Sequence, residues 1–245
     1  MIIFISPAKG FNKTEIDPES IPEFIDKSKL LIDYLKTLDT SEISAIMKIN
    51  EKLSKVNKER FESFKLDRSG SPALLAYSGV QYKNISLEDF DEDDLNFANK
   101  HLRILSGLYG LLRPMDSIYP YRLDISTKLT SEIFSNLYRY WDNKIFNSIK
   151  KDSKDVIINL ASEEYSKAVK KYITDEKYIS CTFKVLKNNK LKLESNSSKK
   201  ARGLMVRYII KNKITYPKDI KNFTEDGFAF SKELSSDNEF VFIKR

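Results

Sequence analysis

Met1-Ile2-Ile3-Phe4-Ile5-Ser6-Pro7-Ala8-Lys9 holds the reading on which the fold class turns. Residues 2–5 are four large apolar side chains in a row, stopped by Ser-Pro. A run this short and continuous reads as a strand buried on both faces, because a half-exposed strand alternates with polar residues. The same signature returns at Val156-Ile157-Ile158-Asn159-Leu160. Around these runs lie stretches of helical spacing. Residues 20–37 carry Phe24, Leu31 and Leu35, with Ser20 as the expected cap and Pro22 in the first turn. Residues 41–64 carry Ile43, Ile46, Met47, Leu53 and Val56, and residues 131–150 carry Phe134, Leu137, Trp141, Ile145 and Ile149. Residues 73–77 read as a further short apolar strand. Strands alternating with helices predict a mixed α/β (α+β) fold. No repeat or low-complexity linker divides the chain, so residues 1–245 are expected to form one domain.

Asp91-Glu92-Asp93-Asp94 reads as the cap and first turn of a helix, where the macrodipole favours carboxylates; metal binding is the alternative. Leu95, Ala98, Leu102 and Leu105 would then form its apolar face, with His101 packed nearby. Ser106-Gly107-Leu108-Tyr109-Gly110 is expected to end that helix in a tight hairpin. Residues 177–186 and 190–194 alternate around Asn188-Asn189 as a β-hairpin. A helix follows over residues 197–213, then a last hairpin of residues 227–230 and 239–244. Cys181 falls between strand residues Ile179 and Phe183 and reads as an inert buried thiol.

Composition excludes several chemistries. One cysteine forbids an internal disulfide and any cysteine-based zinc or iron–sulfur site, and one histidine forbids the two- and three-histidine metal centres. No metal and no cofactor are expected, and the two standard glycine-rich phosphate loops are absent. The longest apolar runs fall far short of the ~18 residues that cross a bilayer, and the first residues lack a basic segment and cleavage site. A cytoplasmic protein with no membrane partner is expected. Charge is uneven. Residues 1–98 hold 13 Lys and Arg against 18 Asp and Glu (net −5), and residues 99–245 hold 29 against 17 (net +12). That surplus fits either a polyanionic partner or a solvated lysine-rich surface.

Four segments can carry chemistry. Ser6 and Lys9 follow the first strand, where open α/β sheets bind ligands; Lys9 can meet phosphate or act as a base. Arg113-Pro114 and Tyr119-Pro120-Tyr121-Arg122-Leu123-Asp124 offer planar guanidinium forks, with Asp124 able to orient Arg122 and the tyrosines able to stack or pack. Asn159, Ser162 and Glu163 stand at the second strand exit, Glu163 as a base or as a first-turn carboxylate. Lys199, Lys200, Arg202 and Arg207 line a predicted helix around Gly203. A glycine costs that helix about 1 kcal/mol and is explained if a phosphate, a strand or a neighbouring helix approaches there. A ligand-facing surface is the favoured expectation, and six of the seven glycines fall in or beside these segments.

In this order the segments resemble the bacterial YaaA family of peroxide-stress proteins. The pattern includes residues 5–9, 101–114, 120–123, 156–165 and 199–205, and spans nearly the whole chain. Gly10 stands where the family often has Thr, and Gly79-Val80-Gln81-Tyr82 replaces a Gly-Asp-Val-Tyr pattern of some members. The resemblance implies a mixed α/β fold sometimes called the cantaloupe fold. It also implies a helix–hairpin–helix element beside a positively charged cleft, DNA binding, and a role in limiting iron-linked oxidative damage. In this chain the hairpin would be residues 106–110. Phosphate of double-stranded DNA, read largely without regard to sequence, would meet Lys9, Arg103, Gly107, Gly110, Arg113, Arg122, Lys199, Lys200, Arg202 and Arg207. The alternative is an enzyme acting on a nucleotide-like small molecule. Its pocket would be lined by the Ser6 to Lys9, Arg122, Asn159 to Glu163 and Lys199 to Arg202 segments and would hold Ser6, Tyr121, Asn159 and Ser162, with Lys9, Tyr82 and Glu163 as candidate catalytic groups. Convergence of Lys9, Arg122, Glu163 and Lys199 in one deep pocket would favour the enzyme; spread along an open groove would favour DNA.

Overall fold

The structure, a computed structural model, describes residues 1–65, 67–153 and 155–245. Its strands in chain order are β1 (Ile2–Ile5), β2 (Gly10–Phe11), β3 (Ser71–Pro72), β4 (Tyr77–Ser78), β5 (Leu102–Ser106), β6 (Gly110–Leu112), β7 (Ser117–Ile118), β8 (Val156–Asn159), β9 (Lys177–Lys187), β10 (Lys190–Lys192), β11 (Phe228–Phe230) and β12 (Glu239–Lys244). The α-helices are α1 (Ile25–Thr37), α2 (Thr40–Met47), α3 (Glu51–Glu62), α4 (Ala73–Ala76), α5 (Val80–Lys83), α6 (Glu92–His101), α7 (Leu137–Trp141), α8 (Lys144–Asp152), α9 (Glu163–Lys170), α10 (Ser195–Lys211) and α11 (Pro217–Ile220).

An eight-stranded sheet of order β11-β12-β9-β8-β1-β5-β6, with β10 beside β9, forms the centre. Its middle is parallel: β1 pairs with β5 (Phe4 opposite Arg103) and with β8 (Ile3 opposite Ile158), β8 with β9, and β9 with β12. Antiparallel strands close both sides, β6 against β5 and β11 against β12. Every residue of β1, β5 and β8 is buried. That is why β1 and β8 are near-continuous apolar runs and β5 shows no apolar–polar alternation: each face of the sheet is covered. The expected hairpins at Asn188-Asn189 and at β11–β12 are present, with both asparagines at positive φ as a two-residue turn requires.

Several predicted elements form differently. Ser20 does not cap a helix; its hydroxyl donates to Asp116 at 2.6 Å, and α1 starts at Ile25 without a side-chain cap. The 41–64 stretch splits at Lys48, which adopts a left-handed conformation (φ 51°) before Asn50 caps α3. The 131–150 stretch splits at Asp142. Residues 73–76 are helical, with the Ala73 and Leu74 amides donating to the carbonyls of Asp116 and Pro114. The acidic run does cap α6, Asp91 and Asp94 forming a reciprocal capping box. That helix ends at His101, and Leu102 and Leu105 lie in β5, held by pairing to β1 and β6. Residues 106–110 therefore join two strands and not two helices. A helix pair with a three-residue connection stands elsewhere, at α2 and α3. His101 packs on Phe97 with Nδ1 2.9 Å from the Met1 carbonyl, and Cys181 is buried, its thiol pushed up to about 12 by desolvation.

Candidate functional site

Beyond the carboxyl ends of β1 and β8 lies a cavity of about 490 Å³. Parallel strands leave their last carbonyls and the following turns at that edge, which is where this class of sheet binds ligands. Residues 6–10 form one wall, residues 78–82 a second, residues 121–124 a third, and Ser162, Glu164 and Tyr165 from the start of α9 a fourth. The fifth wall is α10, through Ser195, Lys199 and Arg202. Their i, i+4, i+7 spacing puts all three on one helix face, while Ser198, Ala201 and Met205 bury the other.

The floor is a network of hydroxyls. Ser6 Oγ accepts from the Ser162 amide at 2.8 Å and donates to Ser162 Oγ at 3.1 Å. Ser162 Oγ also accepts from the Tyr165 amide as the cap of α9. Two acceptances leave the Ser162 proton free to donate into the cavity. Tyr82 donates to the Ser6 carbonyl at 3.0 Å. Ser106 Oγ receives the amides of Leu108 and Tyr109, so its own proton goes to Tyr121, 2.6 Å away, which in turn contacts Tyr77 at 2.7 Å. Burial pushes Tyr121 up to about 12, against hydrogen bonds from Ser106 and Tyr77 that pull it down. Burial, then Tyr121, raises Tyr82 well above the ordinary phenol range. Both tyrosines are therefore neutral hydroxyls at physiological pH. Tyr82 spends its one proton on the Ser6 carbonyl, which leaves Tyr121 as the phenol able to donate to a ligand.

The charged groups divide in two. Asp124 holds Lys9 at 3.2 Å and Arg122 at 3.7 Å. Lys199 and Arg202 have no carboxylate within 4 Å among the described residues, and Arg202 Nε is buried without a hydrogen-bond partner. Glu164 accepts from the Ser126 hydroxyl.

Of the four residues whose convergence separates the two readings, Lys9, Arg122 and Lys199 line the cavity and Glu163 does not. Glu164 takes its place. Helical spacing holds the reason: Glu164 is four residues before buried Ala168, and Glu163 four before exposed Lys167. Ser6, Tyr82, Tyr121, Ser162 and Arg202 join the same cavity. Asn159 stays outside it, closing its own turn by accepting from the Ala161 amide and donating to Ser180. Arg103 is buried in β5 against Asp152 (2.6 Å), and Arg113 lies 3.7 Å from the same carboxylate beside a separate shallow recess. Lys200 pairs with Asp226 and Arg207 with Asp89, so the cationic stripe of α10 is spent on packing. Gly203 faces α5, where a Cβ would run into the Gln81 carbonyl; the neighbouring helix explains this glycine. Gly107 and Gly110 are buried against Leu123, Asp124 and Trp141 and offer no backbone to phosphate. Ser195 is a cavity residue that no motif announced; Gln81 and Glu164 lie inside segments singled out in the sequence, Gln81 with no role assigned because a four-residue helix has too little sequence to show which face is buried.

Among the described residues no group of three or more His, Cys, Asp or Glu side chains is arranged to hold a metal. Among the described residues no helix is long and apolar enough to cross a membrane. The chain is similar over its whole length to UPF0246 proteins. It is 49% identical to one from Clostridioides difficile strain 630 and 40% identical to one from Ligilactobacillus salivarius strain UCC118, covering all of each. It is 38% identical to one from Desulfitobacterium hafniense strain Y51, covering 98% of that protein. The family model described as "Peroxide stress protein YaaA" matches residues 1–234. With the segments around the cavity inside that match, the chain belongs to the YaaA peroxide stress protein family.

Proposed function

We propose that this member of the peroxide-stress family acts in the cytoplasm on a small, anionic, nucleotide-like molecule held in the cavity between β1, β8 and α10. One observation carries the reading: Ser6, Lys9, Arg122, Ser162, Lys199 and Arg202, from distant parts of the chain, converge on a single enclosure. A phosphate-tracking surface needs cations and has no need of a floor of oriented hydroxyls. Lys9 and Arg122, braced by Asp124, can hold a polar centre by charge and hydrogen bonds, with the Tyr121 phenol and the Ser162 proton as donors around it. Calorimetric titration with a panel of nucleobases, nucleosides and nucleotides tests this. At least one member binds wild type and loses roughly tenfold or more in affinity with Lys9→Ala or Arg122→Ala. A panel that leaves the wild type without heat overturns the proposal.

A second reading is DNA binding through phosphate, with a part in limiting iron-linked oxidative damage. The net +12 of residues 99–245 favours it. Arg103, Lys200 and Arg207 are held by carboxylates, which leaves Lys9, Arg113, Arg122, Lys199 and Arg202 as the other exposed or half-exposed cations of the expected set, the first three of them also within 4 Å of Asp124 or Asp152. Helices α2 and α3 would supply the helix–hairpin–helix element. Duplex affinity should then fall steeply with salt through counterion release and weaken with Lys199→Glu. Affinity indifferent to ionic strength counts against it.

A further inference from the structure

We propose that the α10 wall of the cavity is an oxyanion subsite, with Arg202 and Lys199 holding the phosphate or carboxylate end of the ligand. The inference rests on reading the cavity as a small-molecule site and says which way round the molecule lies.

Charge accounting carries it first. Lys9 and Arg122 share the one charge of Asp124, whereas Lys199 and Arg202 reach the cavity with no carboxylate within 4 Å among the described residues. Lys199 is exposed, and water can solvate it. Arg202 is half-buried, and water reaches only part of its guanidinium. Burial lowers its affinity for its proton, only the buried Cys181 thiol works against this and no carboxylate does, and Nε has no acceptor. A guanidinium kept charged, partly out of water and without a counter-ion is costly, and a bound anion removes that cost. The planar fork suits two oxygens of one phosphate or carboxylate group, which a lysine cannot match.

Two further observations point to the same wall. Gln81 on α5, 7% exposed, also lines the cavity, and its Nε2 is a second buried donor without an acceptor. The first turn of α10 has no side-chain cap, because the carboxylate of Glu194 at the cap position turns away to Lys187 at 2.5 Å. Ser195, the first residue of that turn, lines the cavity, so unsatisfied amides and the positive end of a 17-residue helix lie on the side of the unpaired cations. The remaining walls, with Ser6, Ser162 and the Lys9–Asp124–Arg122 group, are left for the rest of the molecule.

Inorganic phosphate, acetate, adenosine and adenosine monophosphate, titrated into the full-length protein by calorimetry, test the assignment. Wild type is expected to bind phosphate or acetate saturably, the tighter of the two naming the source of the oxyanion. Arg202→Gln should weaken that binding roughly 10- to 100-fold, the range of a charge-assisted hydrogen-bonded pair. Lys199→Gln, at an exposed position where folding is not at stake, should weaken it severalfold. Absence of saturable binding by either anion overturns the subsite, as does phosphate affinity unchanged in both variants. Adenosine that binds wild type while its monophosphate binds no tighter sinks the subsite and leaves the cavity reading standing. Arg202-dependent phosphate binding with no gain from any nucleoside does the reverse.

Discussion

Gly203 is where a single missing side chain lets two walls of the cavity meet. An added Cβ would run into the Gln81 carbonyl and stand 3.0 Å from Asn84 Cβ, so α10 and α5 would have to separate. Backbone cannot yield as a flexible side chain does, and overpacking of this kind costs about 1–3 kcal/mol. Gly203→Ala should lower the urea midpoint accordingly, and it should loosen ligand binding too, since Gln81 and Arg202 sit on the helices pushed apart. Stability within about 0.5 kcal/mol of wild type would show that the helix pair has slack there. The glycine was conspicuous in the sequence, but its reason was not. Spacing located it between Lys200 and Arg207, and the partners that absorb those cations, Asp226 and Asp89, are distant in sequence or, in the case of Asp89, on the far side of the chain's midpoint. Glu164 shows the converse: periodicity along α9 already distinguished it from Glu163, and only attention to strand exits favoured the wrong neighbour.

At the scale of elements, local chemistry was legible and partner choice was not. Asp91 caps α6 because its carboxylate can accept from the Asp94 amide at 2.8 Å, a signal carried by four adjacent residues. Asp91→Ala should cost about 1 kcal/mol, read by thermal or urea unfolding; no loss would mean that Asp94 alone holds the helix start. Where the helix stops was hidden. Leu95, Ala98, Leu102 and Leu105 keep helical spacing across the real boundary at His101, and β5 shows no alternation because both its faces are buried. The strand is imposed by β1 and β6, which pair with it from about 100 residues before and from just after it. Residues 73–76 failed in the other direction. Four apolar residues suit a strand or one buried helical turn equally, and the carbonyls of Asp116 and Pro114 that accept their amides lie some forty residues on. The hairpins at β9–β10 and β11–β12 were legible since their turns and alternation are local.

At the scale of the whole molecule, the apolar runs at β1 and β8 were enough to place the ligand-binding edge, and the order of the eight strands was not in any one segment. What ties the distant parts together includes carboxylates held well below their ordinary range. Burial pushes Asp94 up, but the ammonium groups of Lys211 and Lys213 outweigh it and bring it to about 2 from an ordinary 3.8. Glu176 is brought to about 2 by Lys150 and the Thr174 amide, and Asp67 to about 2 by Ser69 and Tyr119. A carboxylate depressed in the folded state contributes stability that is complete above its unfolded value and is lost as pH falls through the folded one. The window is therefore pH 4 down to about 2. Asp116, raised by burial, works the other way over the start of that range and offsets part of the loss. Trp141, the single tryptophan, is fully buried and donates to the Gly107 carbonyl at 2.9 Å, so its emission reports unfolding of the centre. Urea midpoints followed by this emission should fall from pH 4 to pH 2. Asp94→Asn should be less stable than wild type at pH 7 and should lose less over the acid window, because one of the three titrating groups is gone. Equal acid slopes in variant and wild type would show that Asp94 does not join α6 to the end of α10 in the way its two lysine contacts require.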